Sequence, residues 1–304
     1  MKIISWNINS LRLRLPLLKK FVEENNPDVV CLQEIKVCDE DFPLLAVKAL
    51  GFDFVEFSGE KSYNGVAIFS KFPLSKIEKI DVLNYGHKRH ISAAIQTKIG
   101  EVILHNFYVP AGGDIPDVAL NDKFDHKLKF VDWMAEFFSR MRNANESETG
   151  FPYLGGCERK ENDLNGRFQR EGRRVSATIG VQKRIIILGD FNIAPLPDDV
   201  WSHKQLLKIV SHTPIEVEKL TNLQRSLDFI DTHRFFIEPP QKLYSWWSYR
   251  ARDPLGADKG RRLDHIWATP SLKTHLKETK IHRNFRSETQ PSDHVPVETS
   301  LELF

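Results

Sequence analysis

The chain has 304 residues, 41% apolar and 28% charged, which suits an ordinary globular protein large enough for one big core or two modest ones. Lysine plus arginine exceed aspartate plus glutamate only by 43 to 41, which excludes a strongly basic nucleic-acid binder and makes any basic surface local. The three cysteines, Cys31, Cys38 and Cys157, are odd in number and lack metal-site spacing, and the start "MKIISWNINS" has neither the apolar core of a signal peptide nor a membrane span. A cytoplasmic protein with no membrane partner is expected.

Short apolar runs rich in β-branched residues recur along the chain, each ending on a polar residue. In order they are "IISWNIN" (3–9), "DVVCLQE" (28–34), "GVAIFS" (65–70), "ISAAIQT" (91–97), "VILHNFYV" (102–109), "RIIILGDFN" (184–192), "LDHIWA" (263–268) and the closing "VPVETSLELF". Runs of this kind are strands buried on at least one face. Helical periodicity lies between some of them. Pro16 opens one helix at a position where a missing N–H is harmless, with Leu17, Leu18, Phe21 and Val22 as its apolar stripe. Residues 126–141 form another, and "TNLQ" (221–224) reads as the capping box that starts a third.

This pattern predicts an α/β (α+β) fold, a four-layered α/β sandwich of two packed mixed β-sheets flanked by helices, within a single domain spanning 1–304. Residues 143–183 break the pattern. They are polar, glycine-containing and without apolar periodicity, so they read as a mobile surface insertion.

Several strand runs stop on a side chain that can bind a metal or move a proton: Asn7, Glu34, Tyr108, Asp190 and Asn192, with Asp264 opening the seventh run and Asp293 and His294 preceding the last. Each has an ordinary reading. Asp190 can cap a turn, Asn7 can hold a bulge, Glu34 can pair with Lys36, and an Asp-His dipeptide is commonly a solvated turn. Their shared position is what matters, because strand ends of a sandwich converge on one rim. Four carboxylates on one rim repel each other unless a cation sits among them. Oxygen donors without a cysteine cluster favour Mg2+, with Mn2+ as the other hard candidate, over zinc.

"SWNINSLR", "DVVCLQEIK", "NFYVPAGG", "LGDFN", "YSWWSYR", "RRLDHIWA" and "PSDHVPVE", in that order, resemble the motifs of the exodeoxyribonuclease III family within the endonuclease/exonuclease/phosphatase superfamily. The resemblance spans nearly the whole chain apart from 143–183. It implies a metal-dependent DNA phosphodiesterase of base excision repair that cuts duplex DNA 5′ to abasic sites and removes nucleotides from 3′ ends, acting as a monomer. It also implies the roles. Glu34 is the principal metal ligand with Asn7 beside it, and a second ion would engage Asp190, Asn192, Asp293 and His294. Asp190 activates water, Asn192 orients it, Tyr108 stabilises the attacked phosphate or the leaving oxygen, and Asp264 steadies the group by hydrogen bonding. His294 stabilises the phosphate's developing charge with Asp293 orienting its imidazole.

For DNA contact, Arg89 in "HKRH", Lys123 and Lys127 are candidates for tracking phosphates. Trp246, Trp247 and Leu263 are candidates for a pocket that takes a sugar lacking its base. Arg261 departs from an apolar residue frequent in related enzymes at that pocket. The same fold with a phosphoinositide or sphingolipid substrate, or a non-catalytic DNA-binding relative, are the alternatives.

Overall fold

A computed structural model of the chain describes residues 1–148, 183–250 and 256–304. In chain order the elements are β1 (Lys2–Asn7), α1 (Leu11–Asn25), β2 (Val29–Gln33), α2 (Leu44–Lys48), β3 (Phe54–Ser58), β4 (Val66–Ser70), β5 (Leu74–Glu78), β6 (His90–Thr97), β7 (Gly100–Tyr108), α3 (Asp122–Glu148), β8 (Ile185–Asp190), α4 (His203–Leu206), α5 (Pro214–Ser226), β9 (Ile230–Asp231), α6 (Thr232–Phe236), β10 (Asp264–Ala268), β11 (Leu276–Ile281) and β12 (Val297–Leu301). They form two six-stranded mixed sheets, ordered β11-β12-β1-β2-β4-β3 and β5-β6-β7-β8-β10-β9.

The expected four layers follow from the strand period. In β8, Ile186 and Leu188 face the other sheet and join Ile3, Cys31, Ile68 and Leu104 in the central core. Their neighbours Ile185 and Ile187 point outward and pack with Phe130, Met134 and Phe138 of α3 and Leu220 and Leu223 of α5. On the far side of the first sheet, Ile4, Trp6, Val30 and Leu32 meet Leu17, Leu18, Phe21 and Val22 of α1. Near the functional end the sheets are tied by polar atoms as well. Gln33 Nε2 donates to Asn106 Oδ1 at 2.7 Å, and Asn106 Nδ2 donates to the carbonyls of Leu32 and Ala67 at 2.9 and 3.0 Å.

All eight apolar runs are strands, but four strands carried no such signal: β3, β5, β9 and β11. Each lies at an edge of its sheet. An edge strand packs on fewer neighbours and tolerates charge, as "LSKIE" of β5 does.

Three helix readings need correction. Helix α1 starts at Leu11, before Pro16, and the off-helical Arg14 (φ −109°, ψ 15°) relieves the constraint that the proline imposes. Helix α5 is capped by Thr213, not Thr221. The Thr213 side chain accepts from the Glu216 N–H, Glu216 bonds back to the Thr213 N–H, and Pro214 fills the first turn. Thr221 sits inside the helix and donates to the Val217 carbonyl at 2.8 Å. Helix α3 continues to Glu148, past residue 143 where the polar stretch begins. The expected insertion, with Cys157, otherwise lies outside the described residues. Among those described, no helix is long and apolar enough to cross a membrane.

Candidate active site

The strand ends do converge. Tyr108 is in register with Asp190 across the parallel β7–β8 pair, and Asp190 with Asp264 across the antiparallel β8–β10 pair. Asn7 ends β1, Glu34 follows β2, and His294 lies in the irregular segment before β12. Asn7 joins the two sheets, its amide donating to Glu34 Oε1 at 2.8 Å and to Asp190 Oδ2 at 2.9 Å.

The backbone here is strained where the chemistry is. Asn9, Ser10, Glu34, Lys36, Asn192 and Ser211 all have positive φ, between 47° and 89°. Residues other than glycine and asparagine disfavour that region by about 1–3 kcal/mol each, so the surrounding packing must hold them there. Gly189 of "GDFN" (φ 139°) has a different reason, since a Cβ at that position would run into the Phe107 backbone of the adjoining strand.

Glu34 receives Tyr108 Oη at 2.7 Å on Oε1 and Lys36 Nζ at 2.6 Å on Oε2. Burial alone would raise its carboxyl pKa, but the Lys36 charge and the hydrogen bonds from Asn7, Lys36 and Tyr108 hold it below the ordinary glutamate value. The Tyr108 phenol, buried and beside that carboxylate, is pushed well above its usual pKa and stays protonated.

Asp190 accepts the Asn192 N–H at 2.9 Å on Oδ1 and the Asn192 amide at 3.1 Å on Oδ2. Burial, then the charges of Asp264 and Glu34, push it up to about 7 against the pull of His294 and Asn7. His294 Nδ1 is 2.8 Å from Asp264 Oδ2, and its Nε2 is 3.6 Å from Asp190 Oδ2. Burial disfavours the imidazolium, yet Asp264, Asp190 and Asp293 outweigh it and push the His294 pKa up to about 10. The imidazole is therefore a buried cation between two carboxylates.

One role changes. Asp264, not Asp293, orients the His294 ring. Asp293 turns away and accepts from Trp246 Nε1 at 3.0 Å and Asn9 Nδ2 at 3.1 Å. Adjacent residues in an extended segment point apart, so only one of the pair reaches the cluster.

Asp190, Asp264 and His294 have ligand atoms within 4.8 Å of one another, the one such group among the described residues. Within it the imidazole nitrogens are already engaged, Nδ1 with Asp264 and Nε2 facing Asp190. The fit to a hard divalent ion is better at Glu34, with Asn7 and Asp190 alongside. Glu34 and Asp190 offer carboxylate oxygens there, with the partly exposed Lys36 beside Glu34, while Asn7 turns its amide N–H toward both carboxylates and its Oδ1 accepts the Asn9 N–H, so Asn7 steadies the oxygens in this arrangement.

A cleft of about 660 Å³ runs from this cluster to an apolar wall of Trp201, Ile209, Val210, Trp246 and Leu263. Arg261 lies in that wall. Its guanidinium carbon is 5.2 Å from the Trp246 ring centroid, and Nη1 donates to Ser211 Oγ at 2.7 Å and the Val210 carbonyl at 3.0 Å.

The other contact candidates divide. Lys123 is exposed on the first turn of α3. Lys127 is fully buried against Glu216 and cannot reach a phosphate. Arg89 is 4% exposed, its guanidinium carbon 4.5 Å from the Tyr108 ring centroid, so it supports that tyrosine from behind. Trp247 is 1% exposed, packs with Tyr244 and Val295, and donates to Asp258 Oδ1 at 3.1 Å, so it serves mainly the core beside the cleft. Leu263 packs with Trp246 as expected.

Sequence reasoning missed Asn9, whose Oδ1 accepts from Lys36 at 2.6 Å and whose amide reaches Asp293. Its spacing of two from Asn7 in "WNIN" was the available signal. Nothing local marked residues 209–211 as part of the wall.

This is the fold and site arrangement of a phosphoesterase, and the chain belongs to the Endonuclease/Exonuclease/phosphatase family, which it matches over residues 4–294. Within that family it is similar to exodeoxyribonuclease III of Haemophilus influenzae, at 28% identity over 98% of both chains. It is also similar to a DNA-(apurinic or apyrimidinic site) endonuclease of Dictyostelium discoideum, at 24% identity over 100% of this chain and 71% of that one. Among solved structures, an AP endonuclease from Archaeoglobus fulgidus superposes with a TM-score of 0.79 at 26% identity over 100% of both chains. A 3′ phosphatase from Neisseria bound to a product DNA hairpin gives a TM-score of 0.79, with 26% identity over 99% of both chains.

Proposed function

We propose that the protein is a metal-dependent DNA-repair phosphodiesterase, acting as a monomer in the cytoplasm, that cleaves duplex DNA 5′ to abasic sites and trims 3′ ends. One observation carries this reading: Glu34, Tyr108, Asp190, Asn192 and His294 line one cleft that continues into an apolar recess, with Asn7 and Asp264 hydrogen-bonded to them from beneath.

Asp190, held by both Asn192 donors and by Asn7, takes the proton of the attacking water. With its pKa near 7 it is a base matched to neutral pH. As the water oxygen bonds to phosphorus, the P–O3′ bond breaks. The His294 imidazolium, kept charged by Asp264, faces the growing negative charge on the phosphate oxygens. Tyr108, neutral, would turn its one hydroxyl proton from Glu34 to hydrogen-bond the leaving 3′ oxygen as negative charge grows there. Glu34, with Asn7 beside it, would hold a magnesium or manganese ion, which would supply Lewis-acid neutralisation of the phosphate. No nucleophilic side chain and no covalent intermediate are required.

The recess selects the substrate. Walls of Trp246, Leu263 and Val210 suit a sugar without its base, which is also easier to extrude because it has no stacking to lose. The test pairs an end-labelled duplex containing one abasic site with a soluble inositol polyphosphate, each with magnesium. Cleavage of the duplex 5′ to the lesion, leaving a 3′ hydroxyl, is the expected result. Preferred hydrolysis of the inositol polyphosphate would overturn the substrate assignment while leaving the chemistry intact.

A further inference from the structure

A fully buried ion pair stands behind the catalytic floor. Lys127 Nζ lies 2.5 Å from Glu216 Oε1, and neither side chain has any solvent exposure. The same ammonium donates to the Asn192 carbonyl at 2.8 Å and the Ala111 carbonyl at 3.3 Å, so all three of its protons are used. Glu216 is equally occupied. It accepts the Ser211 N–H on both oxygens at 2.9 Å, and the Thr213 N–H and hydroxyl on Oε2 at 3.1 and 2.7 Å. The lysine stem runs tightly beneath Gly112 (φ 88°), where a Cβ would come within 2.8 Å of Lys127 Cδ.

Burying such a pair is a poor route to stability, because well-packed apolar residues of similar volume are often as good or better. What the pair supplies is geometry. Four segments meet at it: the loop after β7 that follows Tyr108, the loop after β8 that carries Asn192, helix α3, and the capped start of α5. Asn192 is the sensitive member. It sits at φ 54°, and both its N–H and its amide bond to Asp190.

We propose that Lys127, clamped by Glu216, is a positioning residue for phosphodiester cleavage, fixing the Asn192 carbonyl so that Asn192 holds the Asp190 carboxylate at the angle needed to accept a proton. The assignment rests on the nuclease reading above, and the ammonium touches neither DNA nor the reacting atoms.

The experiment uses the full chain, cleaving an abasic duplex in saturating magnesium, with wild-type cleavage measured first. Absence of wild-type cleavage would refute the nuclease reading rather than this role. The Lys127→Met/Glu216→Gln double variant keeps the stem volume and leaves no unpaired buried charge. The amide that replaces the carboxylate still offers an oxygen to the Ser211 and Thr213 N–H groups. The kcat of this variant should fall roughly tenfold to a hundredfold, the scale of a small misplacement of a catalytic group, with KM within about twofold of wild type. In an Asn192→Ala background the same double change should cost less, because only the backbone N–H of residue 192 is then left for the strut to hold against Asp190. Losses that simply multiply, a change confined to KM, or an unchanged kcat in a folded variant would each overturn the assignment. Should the double variant fail to fold, Glu216→Gln alone, nearly isosteric, decides it: kcat should fall with KM steady, and an unchanged kcat would count against the strut.

Discussion

On the floor of the cleft, Asp190 and Asp264 flank one buried imidazolium, at 3.6 and 2.8 Å, and Glu34 pairs with one partly exposed lysine at 2.6 Å. On the wall, Trp201, Ile209, Val210, Trp246 and Leu263 present carbon, with Arg261 tied down by Ser211 and Val210. The floor concentrates charge and holds it in place, which serves a transition state that gains negative charge. The wall is mostly uncharged and shaped, as the proposed recognition of a neutral sugar requires. The two regions meet at Asp293, a floor residue by sequence whose Oδ2 accepts from the Trp246 indole.

The division predicts different kinetic signatures. Asp190→Asn should give the largest effect, lowering kcat by roughly two to four orders of magnitude while DNA affinity changes little, as measured by single-turnover cleavage and binding titration. A loss seen mainly in affinity would move Asp190 from chemistry to binding. Trp246→Ala should cost about tenfold on an abasic duplex and clearly less on removal of a normal 3′ nucleotide, because only the first depends on a snug base-free recess. Equal losses on the two substrates would make that tryptophan a core residue and remove the distinction between floor and wall.

A smaller effect separates the floor from the scaffold behind it. His294 is held charged, whereas burial pushes His105 down to about 3 and His233 and His265 down to about 4, so these three stay neutral. Their signs differ in linkage. Stability from the neutral histidines is complete above their unfolded pKa of about 6.5 and is lost as pH falls through about 4. Stability from His294 is complete below about 6.5 and is lost as pH rises through about 10. Asp190, raised from 3.8 to about 7, opposes the three neutral histidines across the acid range without matching their number. Thermal midpoints taken in chelator should therefore fall on both sides of neutrality, and His294→Asn should flatten the alkaline side while leaving the acid side sloping. An unchanged alkaline slope would mean that His294 is not a buried cation.

Much of this was legible in the sequence because a buried central strand writes a dense apolar run, and functional side chains sit where such runs stop. Asn7, Glu34, Tyr108 and Asp190 were picked out as candidates that way, with Asp264 and His294 picked out where a run begins, and the fold brings the six together. The edge strands β3, β5, β9 and β11 were not picked out, since half-solvated strands need no such run. Burial of charge was the other blind spot. Lys127 and Arg89 look like surface cations in one dimension, and only the packing of Glu216 and Tyr108 against them reveals otherwise. The partner of His294 was misassigned for a related reason: its neighbour in sequence is Asp293, but its neighbour across the strands is Asp264.

The most direct test of the account is a magnesium titration of abasic-duplex cleavage by the wild-type protein and by Glu34→Gln. The wild type should be inactive in chelator and saturate with magnesium, while Glu34→Gln, still folded, should need roughly tenfold or more magnesium for half-maximal rate and reach a lower ceiling. Superimposable titrations, or wild-type cleavage that persists in chelator, would contradict a floor organised around a divalent ion at Glu34.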